Sequence, residues 1–89
     1  MPSKIVAVAS KVGLHARPAS LLVKAAGAAG ISVTIGRPGE KAVNAASLLM
    51  VMALGVKCGE SVEITVADAP NADAILEEIS GIITTDHDE

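Results

Sequence analysis

The chain has no Phe, Tyr or Trp in its 89 residues. Single-stranded nucleic acid is held largely by stacking bases on aromatic side chains, so this absence argues against such a platform. Positive charge is also scarce. Seven basic residues face ten acidic ones, and the net charge of -3 leaves no broad basic footprint for a duplex. The one cysteine, Cys58, cannot form an internal disulfide, and no second Cys offers zinc spacing. A reducing cytoplasm is the expected location. No run of about 18 apolar residues occurs, so no membrane span is predicted. The N-terminus, "MPSKIVAVAS", reads as a start followed by a strand, without the cleavage pattern of a secretory signal. Internal repeats, low-complexity runs and linkers are missing too. One domain over residues 1–89 is expected.

What the chain does have is aliphatic: 51% of its residues are hydrophobic. "KIVAVA" (Lys4 to Ala9) is an apolar, β-rich run and predicts a strand. A helix follows from His15 or Ala16 to about Ala28, with Pro18 tolerated in its first turn and Gly27 and Gly30 ending it. In "ISVTI" (Ile31 to Ile35) the apolar residues alternate with Ser32 and Thr34, which predicts a strand with one wet face. Pro38-Gly39 suits the centre of a type II turn and returns the chain along Lys41 to Asn44. Ser47 to Leu54 predicts a short helix closed by Gly55, with Ser47 at or near its N-cap. "SVEITVA" (Ser61 to Ala67) is a second clean alternation. Asp68 is the expected cap of a last helix carrying Pro70 in its first turn. There Ile75, Leu76, Ile79, Ile82 and Ile83 form an inner stripe, and Glu77 and Glu78 face water. The order β-α-β-β-α-β-α, with one wet sheet face, predicts a two-layer sandwich of helices on a mostly antiparallel sheet.

The chemistry concentrates in "KVGLHARPAS" (Lys11 to Ser20), where His15 and Arg17 stand at a helix entrance. A helix N-terminus presents unpaired N–H groups and positive potential. That potential disfavours an imidazolium and leaves a neutral ring with a nucleophilic nitrogen. The same N–H groups favour an anion on the ring, and Arg17 supplies a permanent cation for phosphate oxygens. A neutral nucleophile beside an anion cradle suits the uptake and release of a phosphoryl group. Gly13 fits an unusual backbone angle, room for an approaching partner, or an ordinary loop position.

"GLHARPAS" (Gly13 to Ser20) resembles the active-site signature of the HPr family, the histidine-containing phosphocarriers of the bacterial sugar phosphotransferase system. "VNAASLLMVMALGVKCGESVEI" (Val43 to Ile64) is similar to the same family's regulatory-serine region. The resemblance implies an α+β fold, an open-faced β-sandwich whose four-stranded antiparallel sheet has the order 1-4-2-3 and carries three helices on one face. It implies that His15 takes a phosphoryl group on Nδ1 from phosphorylated enzyme I and hands it to a sugar-specific IIA component. Arg17 is implied to assist the transfer, and Ala16 and Pro18 to form the helix start that cradles the phosphate. No cofactor or metal is implied, and catalysis turns over only with the partner enzymes. A monomer is expected.

Ser47 reads on physical grounds as a plain N-cap. The resemblance adds a second role, modification by an ATP-dependent HPr kinase. Two departures bear on that role: Ala46 stands where the family often has Lys or Arg, and Val12 where it often has a small polar residue. Any polar link from that loop to Ser47 is lost. "SLLMVMAL" (Ser47 to Leu54) is apolar all round, yet a short helix on a sheet buries only one stripe. Val51 and Leu54 suit the core; Leu48, Leu49, Met50 and Met52 are left for an exposed patch. The resemblance makes that patch, with Ser20, the docking surface for both partners.

Other signals are weaker. "DHDE" (Asp86 to Glu89) reads as a frayed acidic end rather than a metal site, and Cys58 as a reduced loop thiol. Gly55 and Gly59 lack the Lys-Ser/Thr pair of a phosphate loop. No second catalytic histidine or carboxylate pair stands beside His15 to suggest a hydrolase. The rival readings are a regulatory binding module on the same fold and a nitrogen-related relay protein. Regulatory relatives lack the active histidine, whereas this chain keeps His15, Arg17 and Pro18 together.

Overall fold

The computed structural model describes residues 2–9, 13–14 and 16–85. The expected order is present: β1 (Ser3–Ala7), α1 (Ala16–Ala28), β2 (Val33–Gly36), β3 (Val43–Asn44), α2 (Leu48–Ala53), β4 (Ser61–Val66) and α3 (Ala72–Ile83). The strands form one antiparallel sheet in the order β1-β4-β2-β3, the order the family resemblance implies.

Alternation along the strands decides which sheet face is dry. Val6, Val33, Ile35, Val62, Ile64 and Val66 are buried. Their neighbours Ser3, Ile5, Thr34, Ser61, Glu63 and Thr65 are exposed or half-buried on the other face. The helices close the dry face with Ala19, Leu22 and Ala26 of α1, Val51 of α2, and Ile75, Leu76, Ile79 and Ile83 of α3. These residues join the inward strand residues in one hydrophobic cluster. With no aromatic rings available, branched aliphatic side chains and alanines fill the core, and truncating a buried Leu or Ile to Ala costs about 2–5 kcal/mol. Lys4 on the edge strand β1 pairs with Glu77 of α3 at 3.2 Å, an exposed contact that contributes little.

Several boundaries differ from the predicted ones. The first strand stops at Ala7 rather than Ala9. Val8 still donates to the Glu60 carbonyl, but its own carbonyl accepts from Gly59 because the Glu60 N–H turns back to Lys57. The second strand begins at Val33, and the third is confined to Val43–Asn44. Gly27 lies inside α1; the chain leaves that helix through Gly30, at φ +75°.

The last helix corrects the expected cap. Its N-cap is Asn71, not Asp68, and Pro70 lies outside the helix. Proline disfavours helical backbone in the residue before it, here Ala69. Pro70 instead occupies a turn closed by the Ala72 N–H donating to the Ala69 carbonyl, and the helix starts after it. The type II turn is as predicted: Gly39 has φ +81°, and the Glu40 N–H donates to the Arg37 carbonyl at 3.0 Å.

Candidate functional site

His15 lies outside the described residues, as do Val12, Lys11 and the acidic end Asp86 to Glu89. The residues on either side of His15 in sequence are described. Leu14 is buried, and its N–H donates to the Val56 carbonyl at 2.9 Å. Ala16 is the first residue of α1. Arg17 is exposed in that first turn, and Pro18 and Ala19 are buried against the core. Pro18 has no N–H to give, but at this depth the donor has no intrahelical acceptor to lose. The turn holds no acidic residue to offset its positive end.

Gly13 takes up one of the three roles its position left open, in a form set by the chain itself. Its φ is +79°, and a Cβ there would run into the Val56 carbonyl oxygen and come within 2.8 Å of the Lys57 Cα. The space beside Gly13 is therefore filled by the loop after α2. Gly13 and Leu14 together are stitched to Val56 and Lys57.

That loop follows the second feature of the site. In α2, Val51 is fully buried and Leu48, Leu49, Met50 and Met52 are exposed, Leu49 at 79%, while Leu54, the C-cap, is half-buried. The neighbouring α1 adds Ser20 and Leu21 to the exposed surface. Leu21 was missed in the sequence because its neighbour Leu22 takes the single inward position on that turn. The exposed positions of α1 also include Arg17, one turn before Leu21, and Lys24, one turn after Ser20, along the same face. No Asp or Glu precedes Glu40 and none lies in Leu48–Ala53, so neither α1 nor α2 carries an acidic side chain, whereas α3 carries Asp73, Glu77 and Glu78. The exposed face of these two helices is apolar with cationic members. Counting charge by chain half would have found this.

Ser47 is the N-cap of α2, with extended backbone and an Oγ that accepts from the Met50 N–H at 3.4 Å. Asn44 sets it there: its Oδ1 accepts from the Ala46 N–H at 2.9 Å, and its carbonyl accepts from the Ser47 N–H at 3.1 Å. This is the side-chain-closed turn that Asn favours, and Asn-Ala-Ala-Ser is its signature in the sequence.

The other end of α2 is held by two residues that sequence reasoning passed over. Arg37, next to the Pro38-Gly39 turn, donates through Nη1 to Glu60 Oε2 at 2.8 Å. Its Nη2 reaches the Gly55 and Leu54 carbonyls at 3.1 and 3.3 Å. Glu60 Oε1 accepts from the Lys57 N–H at 2.7 Å. The hydrogen bond from Arg37 holds the Glu60 carboxyl below the usual carboxylate range, helped by the Lys57 N–H; the same pairing raises Arg37. Cys58 is exposed in the turn between them, with Sγ 3.9 Å from the Ala9 carbonyl. Among the described residues no cluster of His, Cys, Asp or Glu is placed to hold a metal, and no helix is long and apolar enough to cross a membrane.

Known proteins share this fold. The family model described as "PTS HPr component phosphorylation site" matches residues 2–85. The phosphocarrier protein HPr of Streptomyces coelicolor is 46% identical over 71 residues, covering 80% of this chain and 75% of that protein. The crystal structure of the phosphocarrier protein HPr from Bacillus anthracis superposes with a TM-score of 0.83 at 34% identity, over 92% of this chain and 95% of that one. The Bacillus subtilis catabolite repression protein Crh, described as a dimer with a swapping domain, matches with a TM-score of 0.72 at 30% identity over the whole of both chains. In sequence and in fold alike, this chain belongs to the HPr family of phosphocarrier proteins.

Proposed function

We propose that this chain carries phosphoryl groups between enzyme I and sugar-specific IIA components, with His15 as the loading site. The observation that carries the reading is the start of α1 at Ala16, directly after His15 in sequence, with Arg17 exposed in the same turn. In the transfer, the bond from phosphorus to the donor histidine breaks as a bond to His15 Nδ1 forms; the reverse exchange delivers the group to the IIA histidine. Alignment and charge stabilisation supply most of such a step. First-turn N–H groups and Arg17 stabilise the three phosphoryl oxygens, and Ala16 and Pro18 hold the helix start that presents them. An exposed Arg17 suits a carrier, because a clamp that held the loaded state too firmly would not release it.

Docking falls to Ser20, Leu48, Leu49, Met50 and Met52, with Leu21 added to the patch. The exposed cations of α1, Arg17 and Lys24, call for a partner surface that is apolar with acidic groups. Nothing in this scheme needs a metal or cofactor, and turnover requires both partner proteins. Ser47 is a further proposed site of modification, by an HPr kinase, where a phosphate would add negative charge beside the docking patch. Residues 1–89 act as one domain, in the cytoplasm, where an exposed Cys58 stays reduced, and as a monomer. Incubation with phosphoenolpyruvate and enzyme I, read by intact mass, tests the carrier reading. One acid-labile phosphoryl group is expected on the native chain and none on His15→Ala; uptake by the variant would refute the assignment.

A further inference from the structure

The docking helix is poorly equipped to hold itself. Six residues make less than two turns, too short for a stable helix alone. Of these six, Val51 is buried, and the last turn has no basic residue to meet its terminal carbonyls. The missing cation comes from Arg37, 17 and 18 positions away from Leu54 and Gly55, whose carbonyls it binds. Its other donors engage Glu60, which in turn fixes the Lys57 N–H. Between these anchors stands buried Val56, whose carbonyl receives the Leu14 N–H. Direct hydrogen bonds thus run from the β2–β3 turn to the end of α2, into the loop 55–60, and on to the residue before His15.

We propose that Arg37 is a positioning residue for phosphoryl transfer: it braces the end of α2 and the loop 55–60, so that the docking face and the Gly13–Leu14 approach to His15 keep a fixed relation. The proposal rests on the carrier reading. Arg37 itself touches neither the phosphate nor a partner; it acts through Leu54, Gly55 and Glu60. The planar guanidinium is needed because it meets two carbonyls and a carboxylate at once, a set of contacts that a lysine ammonium does not reproduce.

The test compares the native protein with Arg37→Met, Arg37→Lys and Glu60→Gln in two measurements. The first is the rate of phosphorylation by enzyme I and phosphoenolpyruvate as a function of carrier concentration. The second is amide hydrogen exchange at Leu14 and Gly55, with Ile64 in β4 as the control for global opening. Arg37→Met is expected to raise KM by about three- to tenfold with kcat unchanged. It should also speed exchange at Leu14 and Gly55 while Ile64 stays protected. Arg37→Lys and Glu60→Gln should fall between it and the native protein. An unchanged KM, or a raised KM with native exchange at Leu14, overturns the brace, as does exchange that rises equally at Ile64. Should Arg37→Met not fold, the two milder variants decide the matter by the same criteria. Should the native chain accept no phosphoryl group, the carrier reading and the transfer role of Arg37 both fail, and exchange at Leu14 still decides whether the brace exists.

Discussion

Arg37 and Glu60 meet at 2.8 Å across 23 positions of sequence, and their pairing joins the turn after β2 to the loop that enters β4. Both side chains remain partly exposed, so the pair draws its value from geometry: two N–H groups face one carboxylate, and the remaining contacts of each residue are to backbone.

A pH dependence follows from this pair. The Glu60 carboxyl is held below its ordinary value, about 4.3, first by the hydrogen bond from Arg37 and then by the Lys57 N–H. A carboxylate with a lowered folded-state pKa stabilises the fold above its unfolded value and loses that contribution as the pH falls through the folded one. The native protein should therefore lose stability on acidification from pH 5 through pH 3 more steeply than Glu60→Gln. Urea midpoints measured across that range check it; parallel curves would count against the pairing.

Gly13→Ala should destabilise the chain. The left-handed backbone alone costs about 1–2 kcal/mol for a residue with a Cβ. The contact with Val56 and Lys57 adds to this, since both obstacles are backbone. Urea denaturation should show a lower midpoint at an unchanged slope. A native midpoint would show that the loop moves aside freely.

Ser80→Ala should have the opposite effect. Ser80 is 3% exposed on the inner side of α3, and its Oγ is buried with no hydrogen-bond partner. A buried hydroxyl left unsatisfied costs about 1–3 kcal/mol, and alanine also favours the helix. A rise in Tm of several degrees is expected by calorimetry. A fall would mean that the hydroxyl is satisfied in solution.

Met50→Glu should weaken transfer while leaving the fold intact. Met50 is exposed, so the substitution buries no charge, but it places an anion on a face whose own helices have none. The expected result is a KM for enzyme I raised by roughly tenfold or more, with native circular dichroism and Tm. Native transfer kinetics would remove α2 from the docking surface.

The strands and the inner faces of the helices were legible because their signal is local. Alternation in "SVEITV" and the spacing of Ile75, Leu76, Ile79 and Ile83 each select one face without reference to the rest of the chain. The same holds for the Pro38-Gly39 turn and for Ser47 as a cap, where residue type answers a backbone need within three or four positions. Asp68 misled because its own reading was also local. A capping side chain precedes an apolar stripe there, but Pro70 spends those residues on a turn first.

By itself, then, the sequence determined the element order, the dry face of the sheet and the helix start at Ala16-Arg17-Pro18, because periodicity, proline and capping chemistry act over a few residues. Only the tertiary structure decided that Arg37 closes α2, that Glu60 holds Arg37, and that Gly13 must be glycine to lie against Val56 and Lys57. Those contacts join residues 17 to 44 positions apart, and a distance of that kind leaves no period or motif in the chain. It exists once the sheet has brought the ends of β2, α2 and the loop before β4 to one corner of the molecule.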